Sequence, residues 1–389
     1  MAYISSNDNR FYVANEQTYG QVGASSTFTR IPAIKLTARQ QREKAERKDK
    51  TGSRTFAGYP LGGRRSTTFE LHTYMMNWAD QTKEPNYGPL FEACLGKPAA
   101  LANPMQISGT PAAGRIAFTA AHGLVPGQGV AYGSDMRFVA AVVDNQTIQL
   151  NAPFSVTPAS GTTQGATATY TLDTELTSAT IFDCWSPSSA VQRVIYGATV
   201  DQLQVQVNGD FHEFQFSGPA CDIIDSTSFQ QNQGGLSAFP QEPASSGFDY
   251  SIVPGHLGQV WLGSAPDQFF TLTSATITLK NNVKLRDHEF GSNLARGISA
   301  GVRTVTVDVS IYQQDDSQTQ ALYQAARQES PISVMLQLGQ QAGQLTGIYM
   351  QNVVLETPEF DDSDLRQQWV FKSNRAQGIG DDEISVAFG

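Results

Sequence analysis

The sequence predicts a mainly β protein of the sandwich or barrel-forming kind. It reads as two tandem units, each with one short helix, plus a small β-domain inserted in the first. Three observations carry this prediction. Residues 301–312 alternate without a slip: Val305, Val307, Val309 and Ile311 point one way, and Thr304, Thr306, Asp308 and Ser310 the other. Period two over this length marks a strand with one buried and one wet face. Residues 63–74 repeat the pattern at a constant offset of 238, so that Gly63 meets Gly301, Arg65 meets Arg303, Glu70 meets Asp308 and Tyr74 meets Tyr312. Lastly, the offset falls from 232 (Phe91 to Tyr323) to 153 (Tyr196 to Tyr349), which gives the first copy 79 extra residues. An internal repeat of this kind sets the reading of the whole chain.

Taken in order, residues 1–30 are polar with scattered aromatics and are expected to form an arm with no packed element. The first unit covers 31–98 and 179–221. It opens with a short strand at 31–37, continues through a charged run at 39–50 and the repeat strand, and reaches a helix over 88–95. The insert, 99–178, is rich in Gly, Ala, Thr and Val; residues 137–143 and 147–150 read as a hairpin turning at Asp144-Asn145. Asn208-Gly209-Asp210 marks another hairpin. Residues 222–269, rich in Gln, Gly, Ser and Pro, are expected to be a linker that packs along a surface through Phe239, Phe248, Tyr250 and Trp261. The second unit, 270–389, repeats the order: a strand at 275–279 matched to Ile34-Lys35-Leu36, a helix at 320–327, and final strands in which Val353, Val354 and Leu355 answer Leu203, Val205 and Val207. Trp369 and Phe371 answer Phe214 and Phe216.

Composition limits the function. Hydrophobic residues are 40% and charged residues 16% of the 389, enough for a core and against disorder. The net charge of −10 argues against a protein that grips nucleic acid, since phosphates must be neutralised by Lys and Arg. Three widely spaced cysteines, Cys94, Cys184 and Cys221, fit neither a disulfide framework nor a zinc site. With no signal-like start and no 18-residue apolar run, a soluble chain folding in a reducing cytoplasm, without a membrane span, is expected.

No catalytic motif stands out, so no enzyme, cofactor or metal is expected. His212-Glu213 and His288-Glu289 read as surface residues, and the acidic clusters at 361–364 and 381–383 lack the spacing of a calcium loop. No carboxylate pair can be assigned for glycoside hydrolysis. The segment from His122 to Gly129 resembles a turn motif of small β modules in phage structural proteins. For the basic run at 39–50 three readings stand: nucleic-acid contact, a solvated loop, or a loop between subunits that finds acidic partners such as Asp361, Asp362 and Asp364 on a neighbour.

The second unit resembles a bacteriophage tail tube protein, the major tail protein of long-tailed phages. The resemblance rests on Ser274-Ala-Thr-Ile-Thr-Leu-Lys-Asn-Asn, Glu289-Phe-Gly, residues 301–312, the helix before Pro331, Gly347-Ile-Tyr-Met-Gln-Asn-Val-Val-Leu-Glu-Thr-Pro, residues 371–376 and Asp382-Glu383-Ile-Ser-Val-Ala-Phe. Through the repeat it extends to the first unit. It implies stacked rings forming a hollow conduit for DNA; two units per chain imply three chains per ring with pseudo-sixfold symmetry. Partners would be other copies of the chain, the tail tip, the tail terminator and a tape measure inside, with DNA passing unbound and assembly in the host cytoplasm. The long loops and the arm would join rings, through Arg39, Arg42, Lys44, Arg47, Lys48, Lys50, Arg54, Lys284, Arg286 and Arg296. Candidate lumen-facing residues are Gln202, Gln204 and Gln206 on one polar strand face and Glu70 and Asp308 on another, a polar and acidic lining without cations. The insert would face outward, since it would block a lumen. The competing readings are a carbohydrate-binding tail fibre or adhesin and a polysaccharide-degrading β enzyme.

Overall fold

The computed structural model describes residues 3–24, 27–46, 48–56, 58–60, 62–244, 248, 251–263, 268–363 and 365–389. The first stretch holds β1 (Asn9–Asn15), β2 (Thr29–Ile31), β3 (Ala33–Arg42), β4 (Arg65–Tyr74) and α1 (Gly88–Leu95). Seven strands follow: β5 (Ala100–Ala102), β6 (Ile107–Ala112), β7 (Arg115–Phe118), β8 (Gly129–Tyr132), β9 (Asp135–Val142), β10 (Thr147–Leu150) and β11 (Thr167–Thr171). Then come β12 (Ala179–Trp185), β13 (Arg193–Ala198), β14 (Gln202–Val207), β15 (Glu213–Ala220) and β16 (Asp222–Asp225). The last stretch holds β17 (Gly258–Leu262), β18 (Leu272–Lys280), β19 (Lys284–Leu285), β20 (Ile298–Ser299), β21 (Thr304–Tyr312), α2 (Ser317–Arg327), β22 (Ile332–Leu338), β23 (Thr346–Val354), β24 (Glu359–Asp361), β25 (Gln368–Ala376) and β26 (Ser385–Phe388). The fold is mainly β, as the alternation predicts.

One long antiparallel sheet runs β3-β4-β15-β14-β18-β21-β25; β24 pairs with the first residues of β25, and the end of β25 pairs with β23, through which the sheet turns into β26, β11 and β5. Alternation builds it. Phe69, Leu71, Leu203, Val205, Phe214, Phe216, Ile277, Leu279, Val305, Val307, Val309, Ile311 and Phe371 are all buried in one core, while the residues between them face away. Each such side chain taken from water contributes about 1.5–3 kcal/mol, so the register is strongly specified. Behind this apolar face lie two further sets of strands in matching order: β16-β13-β12-β1, extended by β2, and β26-β23-β22-β17. Helix α1 fills the space between layers. It ends at Gly96, whose φ of 99° suits glycine; a Cβ there would lie 2.4 Å from the Glu175 carbonyl oxygen. Helix α2 starts at Asp316, whose carboxylate accepts from the Thr319 backbone N–H at 2.7 Å.

The sequence expectation for residues 1–30 needs correction. β1 is no loose arm: it lies between β12 and β2, and Phe11, Tyr12, Val13 and Ala14 are buried. A four-residue apolar run buried on both faces carries no alternation, so periodicity misses it. The turn after β1 is pinned by Glu16, whose carboxylate accepts from the Gly197 N–H, the Ser178 and Thr180 hydroxyls (each 2.7 Å) and the Gly20 N–H at 3.1 Å.

The segment expected as a linker holds strands at both ends, β16 and β17. Between them Phe229, Leu236 and Phe239 cover Tyr196, Cys221 and Ile224, and Arg10 grips Glu242 with two nitrogens at 2.5 and 2.7 Å. Tyr250 lies outside the described residues. Strands β6-β7-β10-β9-β8 form a separate sheet over their own core of Ile107, Ile116, Phe118, Val130, Val139, Ile148 and Leu150. The expected β9–β10 hairpin is present. This sheet is seated on the remainder: Met136 and Phe138 pack on Trp261, Met335 and Tyr349, and β11 joins β26.

The two halves can be superposed by register. Ala38 lies opposite Phe69, and Ile277 lies opposite Val307. With Phe69 set against Val307 as the repeat reading has it, these pairings set Ala38, four residues beyond Ile34, against Ile277. The helix and the flanking strands carry too little sequence likeness to fix the match.

Phe91 of α1 touches five rings, with centroids 5.2–6.2 Å away: Tyr87, Tyr170, Phe214, Phe216 and Phe388. Phe91→Ala is expected to cost about 3–5 kcal/mol in chemical denaturation, whereas Ile34→Ala on an exposed edge changes stability by about 0.5 kcal/mol or less. Glu16→Gln turns an NH2 group toward a backbone or hydroxyl donor and is expected to cost about 1–3 kcal/mol in the same assay.

Candidate functional site

The face of the long sheet opposite the core is polar across its whole width. Pairing places directly opposed residues on the same side. One row is Glu70, Ser217, Gln202, Lys280 and Thr304; a second is His72, Gln215, Gln204, Thr278 and Thr306; a third is Tyr74, Glu213, Gln206, Thr276 and Asp308. All five candidate residues, Glu70, Asp308, Gln202, Gln204 and Gln206, therefore share one face. The sequence reading put the glutamines and the two acids on separate faces; the hairpin at Asn208 and the β14–β18 pairing bring them together, which no local pattern specifies.

The face is also not free of cations, contrary to expectation. Lys35 and Arg39 extend the rows on β3, Lys280 lies within the first row, and Lys372 stands on β25. The spacing Lys35, Thr37, Arg39, Gln41 is a period-two signal; the strand expected at 31–37 runs on to Arg42, into the first residues of the charged run. Some of these charges are locally matched, while Lys35, Arg39 and Lys280 make no ion pair among the described residues. His72 Nε2 lies 2.8 Å from Glu70 Oε1, and Gln215 Nε2 donates to the same oxygen at 3.0 Å. The His72 hydrogen bond is the main cause holding the Glu70 carboxyl below its ordinary pKa. Lys372 donates to Glu359 at 2.6 Å, and Asp308 accepts from the Ser373 backbone N–H at 2.6 Å.

The basic candidates fall into two groups. Arg39 and Arg42 end strand β3, where Arg42 faces Arg65, itself 3.1 Å from the buried Asp222 carboxylate. Lys44 lies 5.6 Å over the Tyr59 ring. Lys48, Lys50 and Arg54 are exposed and make no ion pair among the described residues; Arg47 lies outside them, as does Asp364. In the second group, Lys284 is on the small β19–β20 ladder, Arg286 pairs with Glu289, and Arg296 lies 3.9 Å from Glu289. This second loop is folded onto the first half of the chain. The Arg65 N–H donates to the Asn293 carbonyl at 2.9 Å, and Cys221 Sγ to the Ala295 carbonyl at 3.4 Å. Leu294 packs on Tyr196, Cys221 and Ile224.

His212 corrects another expectation. It is buried, not a surface residue, and donates through Nε2 to the Leu257 carbonyl at 2.8 Å; burial lowers its pKa. His288 is exposed. Among the described residues there is no group of three or more His, Cys, Asp or Glu side chains placed to hold a metal ion, and no helix long and apolar enough to cross a membrane.

A continuous polar sheet face backed by a core, with open strands at both edges, is the form of a wall segment. The family model for phage tail tube proteins matches residues 6–389. The chain belongs to the phage tail tube protein family. No curated protein matches it. Membership makes this tail tube chain a structural, non-enzymatic component of the virion tail, one that associates with itself and with other tail proteins.

In the unassembled chain, His72→Ala is expected to raise the Glu70 pKa toward the ordinary carboxylate value, read by carboxyl-carbon NMR titration. Because the folded pKa is lowered, the stabilisation from Glu70 is present above the unfolded pKa and is lost as pH falls through the folded one. The variant removes that pH dependence.

Proposed function

We propose that three copies of the chain close into a ring whose inner wall is the polar face of the long sheet, and that rings stack into a tube through which DNA passes. The observation that carries this reading is the strand order. In the first half it is β3-β4-β15-β14, the first, second, fourth and third of those strands in chain order. In the second half it is β18-β21-β25 followed by β24, again first, second, fourth and third. The matching back layers, with β1 answering β17, add to the support for a duplicated unit; so does the placement of β5–β11 between α1 and β12, where the second half has only the short step from α2 to β22. On this reading the units begin earlier than the sequence suggested, at β1 and β17.

Eight strands per chain give about 24 in a ring of three, well above the 16 to 18 that already enclose an aqueous channel. Closure also removes the open strand edges. Inside, glutamines and threonines interleaved with scattered charges of both signs offer DNA hydrogen-bonding surface without a basic stripe, so a polyanion slides without being held. The exposed Arg42, Lys44, Lys48, Lys50 and Arg54, with the loop at 281–303, are the proposed contacts between rings, while Arg39 lies on the polar face. The sheet β6–β10 lies on the core side, away from the polar face, and is proposed to face outward. The tail tip, terminator and tape measure are the proposed partners, and the host cytoplasm the place of assembly.

Cryo-electron microscopy of the concentrated protein tests this. Hollow tubes with threefold rings and six similar inner lobes are expected. Sixfold rings would keep the tube and overturn the trimer. Chains that stay monomeric even beside a tail tip would overturn the tube and favour an adhesin.

A further inference from the structure

The chain contains one seam between its halves, and that seam predicts the geometry of another. β14 and β18 pair antiparallel with Val205 opposite Ile277, Gln204 opposite Thr278 and Gln206 opposite Thr276. Two strands of the polar wall have a free side: β3, which pairs only with β4, and β24, a branch that pairs only with the start of β25 while the end of β25 pairs with β23; neither has a second strand partner among the described residues. Register fixes what each edge residue corresponds to. Val205 lies opposite Phe214 and Phe360 opposite Trp369, and Phe214 matches Trp369. Ile277 lies opposite Val307 and Ala38 opposite Phe69, and Val307 matches Phe69.

We propose that β24 of one copy pairs antiparallel with β3 of the next in the register of the internal seam, so that Phe360 faces Ala38, Glu359 faces Arg39 and Asp361 faces Thr37. The proposal rests on the ring reading above but adds to it which residues meet. Two independent features of the edges agree with it. Phe360 is 54% exposed, although its counterpart Val205 is 2% exposed; an added strand covers it beside Tyr323 and Trp369, its ring neighbours at 6.3 and 5.6 Å. Charge also matches. Glu359 and Arg39 are both exposed and both on the polar face, and the register sets a carboxylate against a guanidinium. Glu359 then lies between Lys372 of its own chain and Arg39 of the neighbour. A one-residue slip would place Phe360 on the wrong face of the new pair, and a two-residue slip would leave Glu359 without Arg39.

The test is disulfide trapping in the full chain, whose native cysteines are all buried. Under mild oxidation the double variant R39C/E359C is expected to give covalent dimers and trimers on a non-reducing denaturing gel. R39C/D361C, two residues out of register, is expected to give none, because its Cα atoms would be beyond bridging distance. Rings seen by microscopy with trapping only in the shifted pair overturn this register and leave the tube intact. Linked dimers from R39C alone mean β3–β3 pairing and overturn it too. Absence of any ring overturns both. Charge reversal gives a second measure. E359R is expected to raise the concentration needed for assembly roughly fivefold, and R39E/E359R to restore it; failure of the double reversal to recover assembly counts against the pair.

Discussion

The antiparallel ladder between β14 and β18 is the constraint on which the structure depends. Its six residue pairs, from Gln202–Lys280 to Val207–Ala275, turn two four-stranded sets into one sheet. Without it the apolar faces behind each set would be separate, and β14 and β18 would both be open edges. With it the buried row continues from Phe216 through Leu203 and Leu279 to Val305, and the polar row on the other side continues in step. Because side chains alternate with period two, a slip of one residue at this seam would expose Leu203, Val205, Ile277 and Leu279 together, a loss of several kcal/mol.

The same alternation ties stability to function. The residues that hold the sheet down are on one face, and those available to a lumen are on the other. Substitutions on the polar face alter charge and hydrogen bonding with little direct effect on the core. Some of its ions are engaged with neighbours of opposite sign or with amides, as at His72, Glu70 and Gln215, and at Lys372 and Glu359, whereas Lys35, Arg39 and Lys280 make no ion pair among the described residues.

The layers behind the sheet supply rigidity. β1 is held by pairing on both sides and by Glu16, and the loop at 281–303 ties the second half to the first across Arg65 and Cys221. The additional sheet β6–β10 is fixed through Phe138, which stacks on Tyr349 at 5.2 Å, and through Arg137. That buried guanidinium lies 3.9 Å from the Trp261 ring centroid, with Asp135 at 3.7 Å. A buried cation is tolerated there because the ring face, the carboxylate and the Pro153 carbonyl together replace its water.

The sequence by itself determined the alternating strands and which face of each is wet. Val305 to Ile311, Phe69 and Leu71, and the Asn208 turn all carry local signals, because alternation and turn chemistry act over a few residues. The resemblance carried by residues 274–389 also pointed to the family that the whole chain proved to match. Tertiary structure alone decided the rest. It put Glu70, Asp308 and the three glutamines on one face, made Lys35 and Arg39 part of that face, and buried β1 and His212. Each of these depends on which strand pairs with which and in what register. That choice is made by burial summed over distant segments, and no short stretch of sequence encodes it.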